Sequence, residues 1–216
     1  MDLIFIFFFL IVIFGLLEYY CKSYYIVKKN FMDKSFIEKI NKTILNDKEW
    51  LYTTNIGNDK IKHNNDIKSR RDNSLKLLNS ENFSYSKYEY KNEAPILKEI
   101  KEYLNSPYVI KEVSSLTGNK MTKTTDIFIS KFSPGDFLSV HNDTNLGRWA
   151  FIIYLNKYWN RGCGGDLNLV TKENVHIPIY PEYNKLVLMD IKSRELPHYI
   201  NTVKCNNRYA ITGWFM

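Results

Sequence analysis

The sequence predicts a mainly β protein, a double-sheet jelly-roll core with a helical lead-in, preceded by an N-terminal membrane helix. Three observations carry that prediction. From Thr124 the apolar spacing changes from a helical period to alternation. Eight short strand-like segments then follow in close order, separated by turn residues, which suits two packed antiparallel sheets better than a parallel sheet. The chain also opens on an almost unbroken apolar run, LIFIFFFLIVIFGLL, from Leu3 to Leu17.

That run makes residues 1–21 the expected membrane anchor. As a helix it rises about 22 Å, and continuing through Tyr19 and Tyr20 to Cys21 brings it near the minimum for a hydrocarbon core of roughly 30 Å. A cleaved signal peptide would call for a positive start and small residues at a cleavage site, whereas Asp2 precedes the run and no such pattern follows Leu17. Lys22, Lys28, Lys29 and Lys34 lie only on the C-terminal side, so the positive-inside tendency places the remainder on the cytosolic side. The three cysteines, Cys21, Cys163 and Cys205, are odd in number and lack CxxC spacing, which suggests neither a disulfide framework nor a structural zinc site and agrees with a reducing compartment.

With 216 residues, 44% of them hydrophobic, the chain can bury one substantial core. The net charge of +7 is spread among acidic residues and asparagines rather than gathered in one block, so no specific nucleic-acid partner is expected.

Residues 22–120 read as a helical lead-in packing on the core. Ser35 to Trp50 carries Phe36, Ile37, Ile40, Ile44 and Leu45 at helical spacing. The polar stretch Asn55 to Asn82 reads as a long surface loop with a short helix near Leu75 to Leu78, its Lys68, Arg70 and Arg71 a solvated basic patch and His63 not a metal ligand. The alternating FSYSKYEY, Phe83 to Tyr90, reads as an edge strand or a tyrosine-rich groove wall. Pro95 and Pro107 then open helices, the second ending at Gly118.

Residues 121–216 form the predicted core, with strands at Asp126–Phe132, Phe137–His141, Trp149–Leu155, Asp166–Val170, Val175–Ile179, Leu186–Ile191, Tyr199–Val203 and Arg208–Phe215. His141 and Asp143, separated by one residue at a strand end, point to the same face and can reach one metal. His198, far downstream, supplies a third ligand type. Two imidazoles and a carboxylate make the facial set that non-haem Fe(II) oxygenases use. Arg208 opens the last strand, and alternation places it on one face with Ala210, Thr212 and Trp214, a guanidinium fork suited to clamping a carboxylate. His176 reads as a surface or edge residue.

The phrases FSPGDFLSVHND, RWAFIIYLNKYW, GGDLNLV, YNKLVLMD, PHYINTV and RYAITGWF occur in order. In them the region from Asp126 to Phe215 resembles the Fe(II)- and 2-oxoglutarate-dependent dioxygenases, specifically the prolyl 4-hydroxylase group, both its hypoxia-factor and its ribosomal-protein types. The helical phrase VIKEVSSLTGNK leans toward the ribosomal type.

The resemblance implies a double-stranded β-helix with His141, Asp143 and His198 as iron ligands. It implies that Arg208 and Tyr154 hold the distal carboxylate of 2-oxoglutarate, with Thr212 and Trp214 as pocket-wall residues. It also implies O2 as co-substrate, ascorbate as a reductant, and a protein or peptide substrate hydroxylated at proline. Lysine, a free amino acid or a small molecule stays open as substrate, as does a non-catalytic metal-binding jelly roll. Phe132 departs from the group, which usually has a tyrosine there, so one hydroxyl contact to 2-oxoglutarate is in doubt. The Gly164-Gly165 step reads as a tight turn before a strand.

Overall fold

In a computed structural model, residues 25–216 are described apart from 57–58, 64, 144–145 and 194. Twelve strands form one antiparallel sheet that curls on itself. They are β1 (Tyr25–Lys28), β2 (Trp50–Ile56), β3 (Asp59–His63), β4 (Tyr85–Tyr90), β5 (Thr124–Phe132), β6 (Phe137–His141), β7 (Trp149–Tyr154), β8 (Leu167–Val170), β9 (His176–Ile179), β10 (Leu186–Asp190), β11 (His198–Ile200) and β12 (Arg208–Phe215). The pairing order runs β1-β10-β7-β12-β5-β4-β6-β11-β8-β9, and the β2–β3 hairpin branches from β4. The curl sets β7, β10 and β12 across from β6, β8 and β11, the layering of a jelly roll.

Among the described residues four α-helices accompany the sheet: α1 (Lys34–Asn46), α2 (Ile67–Asn79), α3 (Pro95–Leu104) and α4 (Pro107–Thr117). Local chemistry sets their ends. The Asp33 carboxylate accepts from the backbone N–H of Ser35 and Phe36 at 2.9 and 3.1 Å and caps α1. Prolines fill the first turns of α3 and α4, and Gly118 closes α4 at φ 66°, a left-handed conformation that glycine adopts without steric cost.

The strands of the central layer are buried on both faces, so they read as continuous apolar runs rather than alternations. Phe151 and Ile153 of β7, with Leu186 and Leu188 of β10, pack outward against Ile40, Leu97 and Val109 of the helices. Ala150, Ile152 and Tyr154, with Val187 and Met189, point inward against Leu167 and Leu169 of the opposite layer. The site described below lies in this inward space.

Between β5 and β6 a buried carboxylate gathers the lead-in onto the core. Asp136 is fully buried and accepts from Tyr52 Oη at 3.1 Å, Arg71 Nε at 2.9 Å, Ser86 Oγ at 2.9 Å and its own turn's Ser133 N–H at 2.9 Å. Those donors come from β2, α2, β4 and the turn itself. Gly135 stands at φ 93°, where an added Cβ would come within 3.0 Å of the Arg71 side chain.

All eight core strands stand where the sequence places them, within two residues at each end except that β11 stops at Ile200, three residues before the expected Val203. Several expectations are corrected. The stretch 55–82 is not a long loop: it completes the β2–β3 hairpin and forms α2. Strand β4 is no edge, since it pairs with β2, β5 and β6. Arg71 does not belong to a solvated patch but to the buried pair with Asp136. Leu45 turns away from the core and is 56% exposed. The lead-in also supplies four of the strands, so it is not only helical. Cys163 and Cys205 are joined as a disulfide, their Cα atoms 4.9 Å apart. Their sequence separation of 42 hides that the turn before β8 lies against the β11–β12 connection, where Lys204 N–H donates to Cys163 O at 2.7 Å.

The membrane assignment is also corrected. No helix among the described residues is long and apolar enough to cross a membrane. The run that prompted it lies outside the described residues, is short for a span by itself, and is followed within a few residues by β1, which is already part of the sheet. The single-pass placement, the membrane partner and the cytosolic orientation drawn from that run therefore lose their support.

Breaking a buried charge pair strands the remaining charge and costs about 3–5 kcal/mol. Asp136→Ala should therefore lower the unfolding free energy by roughly that amount, measured by urea denaturation, and Arg71→Met should lower it less because three neutral donors remain on Asp136. Equal stability of native protein and Asp136→Ala would remove this carboxylate from its linking role.

Candidate active site

His141 ends β6 and His198 begins β11, and the ladder between these strands sets the two residues directly opposite one another. Their ring centroids are 4.3 Å apart. Each Nδ1 donates to a backbone carbonyl two residues earlier, His141 to Ser139 O at 3.0 Å and His198 to Leu196 O at 2.9 Å. A carbonyl can only accept, so Nδ1 donates in both rings and each ring presents its Nε2 to the space between them. Those two atoms converge on Asp143: His141 Nε2 lies 3.4 Å from Oδ1 and His198 Nε2 lies 3.6 Å from Oδ2.

The three ligand-type atoms fall within 4.8 Å of one another, the one such group among the described residues. Trp214 Nε1 donates to Asp143 Oδ2 at 3.1 Å and orients the carboxylate. Burial opposes the charge on Asp143, but hydrogen bonds and charge interactions with the two histidines outweigh it and hold the carboxyl well below its ordinary range.

A cavity of about 290 Å³ opens beside these residues. Its walls are mostly apolar: Phe83, Tyr85, Phe128, Phe132, Leu138, Ile152, Leu167, Met189 and Ile200, with Thr212 and Trp214 from β12. Thr212 and Trp214 therefore reach the same space as the triad, although the β12 register against β5 shifts between them.

Arg208 and Tyr154 sit adjacent but are not part of the cavity lining. Arg208 is 1% exposed, and its Nε and Nη2 have no hydrogen-bond partner among the described residues. Its guanidinium carbon lies 5.0 Å from the Tyr154 ring and 5.3 Å from the Phe132 ring, so two aromatic faces offset part of its lost hydration. Burial pushes its pKa down, against a favourable interaction with Tyr154. The Tyr154 hydroxyl donates to Ile179 O over a long 3.5 Å and also interacts with the Arg208 side chain. Gly165, at φ 70°, lies where a Cβ would come within 3.2 Å of Arg208 Cδ, so the glycine step both makes the turn and leaves room for the arginine stem.

His63 bonds Thr54 Oγ1 at 2.8 Å through Nε2, and His176 bonds the Tyr199 hydroxyl at 2.9 Å, so both stand outside the triad. Sequence reasoning missed a charged strip along the cavity: Lys87 and Glu89 on β4, with Lys60 on β3. The available signal was alternation, which puts Tyr85, Lys87 and Glu89 on one face of β4. Burial pushes the Lys87 ammonium below its ordinary pKa despite Glu89. For Glu89 burial acts upward, and the two lysines overcome it and hold the carboxyl low.

Residues 127–216 match the 2OG-Fe(II) oxygenase superfamily. A prolyl 3-hydroxylase, OGFOD1, of Xenopus laevis is 26% identical over 169 residues, covering 71% of this chain. The chain spans only 33% of that relative's length. Among solved structures, a Trichoplax adhaerens prolyl hydroxylase in complex with a hypoxia-inducible-factor peptide aligns with TM-score 0.63 and 21% identity over 90% of this chain and 84% of its own. A prolyl 4-hydroxylase of Pseudomonas putida aligns with TM-score 0.57 and 13% identity, over 89% and 92%. The converging His141, Asp143 and His198 lie inside the matched segment, and residues 127–216 are a domain of the 2OG-Fe(II) oxygenase superfamily, whose members work with Fe(II), 2-oxoglutarate and O2.

Proposed function

We propose that this chain hydroxylates proline in a protein or peptide, with residues 121–216 as the dioxygenase core and residues 22–120 supporting it. The observation that carries the reading is the pairing of a two-imidazole, one-carboxylate cluster with a buried guanidinium whose Nε and Nη2 have no hydrogen-bond partner among the described residues. The donor set suits Fe(II). The unpartnered Nε and Nη2 of Arg208 suit a carboxylate, because an unpaired buried cation is costly until an anion joins it. Both groups therefore fit the residues present.

In this reading His141 and His198 hold the metal through Nε2 and Asp143 through its carboxylate, while the Ser139 and Leu196 carbonyls lock the rings and Trp214 steadies Asp143. Arg208, helped by Tyr154, takes the distal carboxylate of 2-oxoglutarate. When bound, Fe(II) with 2-oxoglutarate and O2 supplies the oxidation, placing one oxygen atom in succinate as CO2 leaves and the other in a substrate C–H bond. The chain contributes orientation and an apolar enclosure: Phe128, Ile152, Leu167 and Met189 keep bulk water from the reacting centre, and Thr212 lines the same wall. Phe132 carries no hydroxyl, so the co-substrate's far end depends on Arg208 and Tyr154.

Purified protein with Fe(II) should convert 2-oxoglutarate to succinate, and a proline-containing substrate should gain one oxygen atom by mass spectrometry. His141→Ala and Asp143→Ala should each reduce turnover to background, and retained turnover in both would sink the assignment. Trp214→Phe should weaken Fe(II) binding by about tenfold, read by metal titration, as loss of a ligand's supporting hydrogen bond does.

Arg208 gives a separate test by stability. Under anaerobic conditions with Fe(II), 2-oxoglutarate at about 100 times its Kd should stabilise the native protein by about 2.7 kcal/mol. Arg208→Met should raise the melting temperature of the protein without 2-oxoglutarate, since it removes a buried unpaired charge, and should lose most of the ligand-induced rise. A full rise in the variant would take the guanidinium out of the co-substrate site.

A further inference from the structure

We propose that Lys87, Lys60 and Glu89 form a subsite for an acidic residue of the substrate, so that the preferred peptide carries Asp or Glu near the hydroxylated position. The proposal rests on the hydroxylase reading above and names a feature of its substrate. Glu89 is 4% exposed at its side chain and pairs with both ammonium groups, Lys87 at 3.2 Å and Lys60 on the hairpin. Two cations thus share one anion inside a largely apolar cavity, and one positive charge is left over. Lys87 Nζ also stands 4.4 Å from the centroid of Phe128, an aromatic face that favours a cation but does not neutralise it.

Charge balance at the metal does not consume that excess. Fe(II) and Arg208 together carry three positive charges, and Asp143 with the two carboxylates of 2-oxoglutarate carries three negative ones. The loaded centre is neutral, while the lysine cluster remains at plus one. An anion from outside the co-substrate set is what completes it.

Access points to the substrate as its source. Arg208 is 1% exposed and stands behind the cavity wall, away from the surface. The lysine cluster instead reaches the surface, with the Lys60 side chain 47% exposed and that of Lys87 13% exposed. Phe83 and Leu146, 39% and 42% exposed, line the same cavity and leave an apolar rim that a peptide can cover. A peptide lying over this rim with its proline at the metal can present a neighbouring carboxylate to Lys87 and Lys60.

The test uses the full chain with Fe(II) and 2-oxoglutarate and two matched pools of proline-centred peptides. One pool has Asp or Glu at the positions flanking proline; the other has Asn or Gln there. Native enzyme should favour the acidic pool by about tenfold in kcat/KM, the equivalent of one well-placed ion pair. Lys87→Met and, independently, Lys60→Gln should collapse that preference, each variant checked for a native melting transition. Lys60 is half-exposed on a hairpin, so its variant keeps the test meaningful if Lys87→Met fails to fold.

Succinate formation by native enzyme without peptide separates the two readings. If it occurs and the acidic pool is not preferred, the subsite is wrong and the dioxygenase assignment stands. If it does not occur under any condition, the underlying hydroxylase reading fails first. A preference that survives both substitutions overturns the subsite. So does a Lys87→Met effect that falls on the KM for 2-oxoglutarate in peptide-free turnover, which would move this lysine to the co-substrate.

Discussion

The position of the strand that carries His141 depends on one buried carboxylate. Asp136 ties the β5–β6 turn to β2, α2 and β4, and β6 leaves that turn to deliver His141 five residues later. The oxygenase segment is therefore anchored by residues of the lead-in. A buried ion pair is often no more stabilising than an apolar replacement of the same shape. Its value here is positional: four donors from separate segments accept only one placement of the turn, which an apolar contact would fix less sharply.

The two cations beside the cavity, Lys87 and Arg208, illustrate different compromises. Lys87 has a carboxylate beside it, shared with Lys60. Arg208 leaves two nitrogens without hydrogen-bond partners among the described residues and lies near two aromatic rings. A fold selected only for stability would not keep a guanidinium in that state, since an apolar side chain of similar volume would fit without the desolvation cost. Retaining it makes sense if an anion joins it during the reaction cycle. The surroundings accommodate it: Gly165 lacks the Cβ that would press on its stem, and the disulfide between Cys163 and Cys205 closes the turn in which that glycine stands.

What the sequence made legible follows the range of the interaction involved. Strands β7 and β10 are buried on both faces and show as apolar runs, and the triad sits on strand ends whose alternation fixes direction. The hairpin β2–β3 was not legible because WLYTTNI and DKIKH carry polar residues that bond within the fold, as Thr54 does to His63. Arg71 read as solvated because its partner Asp136 is 65 residues away, and the cysteines read as unpaired for the same reason. Strand β1 was missed for another cause. It is four residues long and takes its identity from pairing with β10 rather than from its own pattern. The apolar run before it dominated the reading of that end of the chain, and its length alone was a weak basis for a membrane span.

The convergence of His141, Asp143 and His198 is in the end a property of strand register. A slip of one residue in β6 would turn His141 to the opposite face and break its opposition to His198. Several contacts hold the register, and Ser139 takes part in three of them. Its N–H donates to Ser84 O at 2.9 Å, its hydroxyl accepts from Ser84 N–H at 2.9 Å, and its carbonyl holds the His141 ring at 3.0 Å. On the other side, the irregularity between His198 and Ile200 lets β11 keep His198 across from His141 while Ile200 faces Leu138. A bulge next to a reactive site re-aims a side chain without moving the rest of the sheet. The ligands thus converge because two strands are pinned at different points, one by a serine that bonds both its neighbour and the ligand ring, the other by a local shift in pairing. A change at Ser84, with no contact to the metal, would act on the histidine through that same serine.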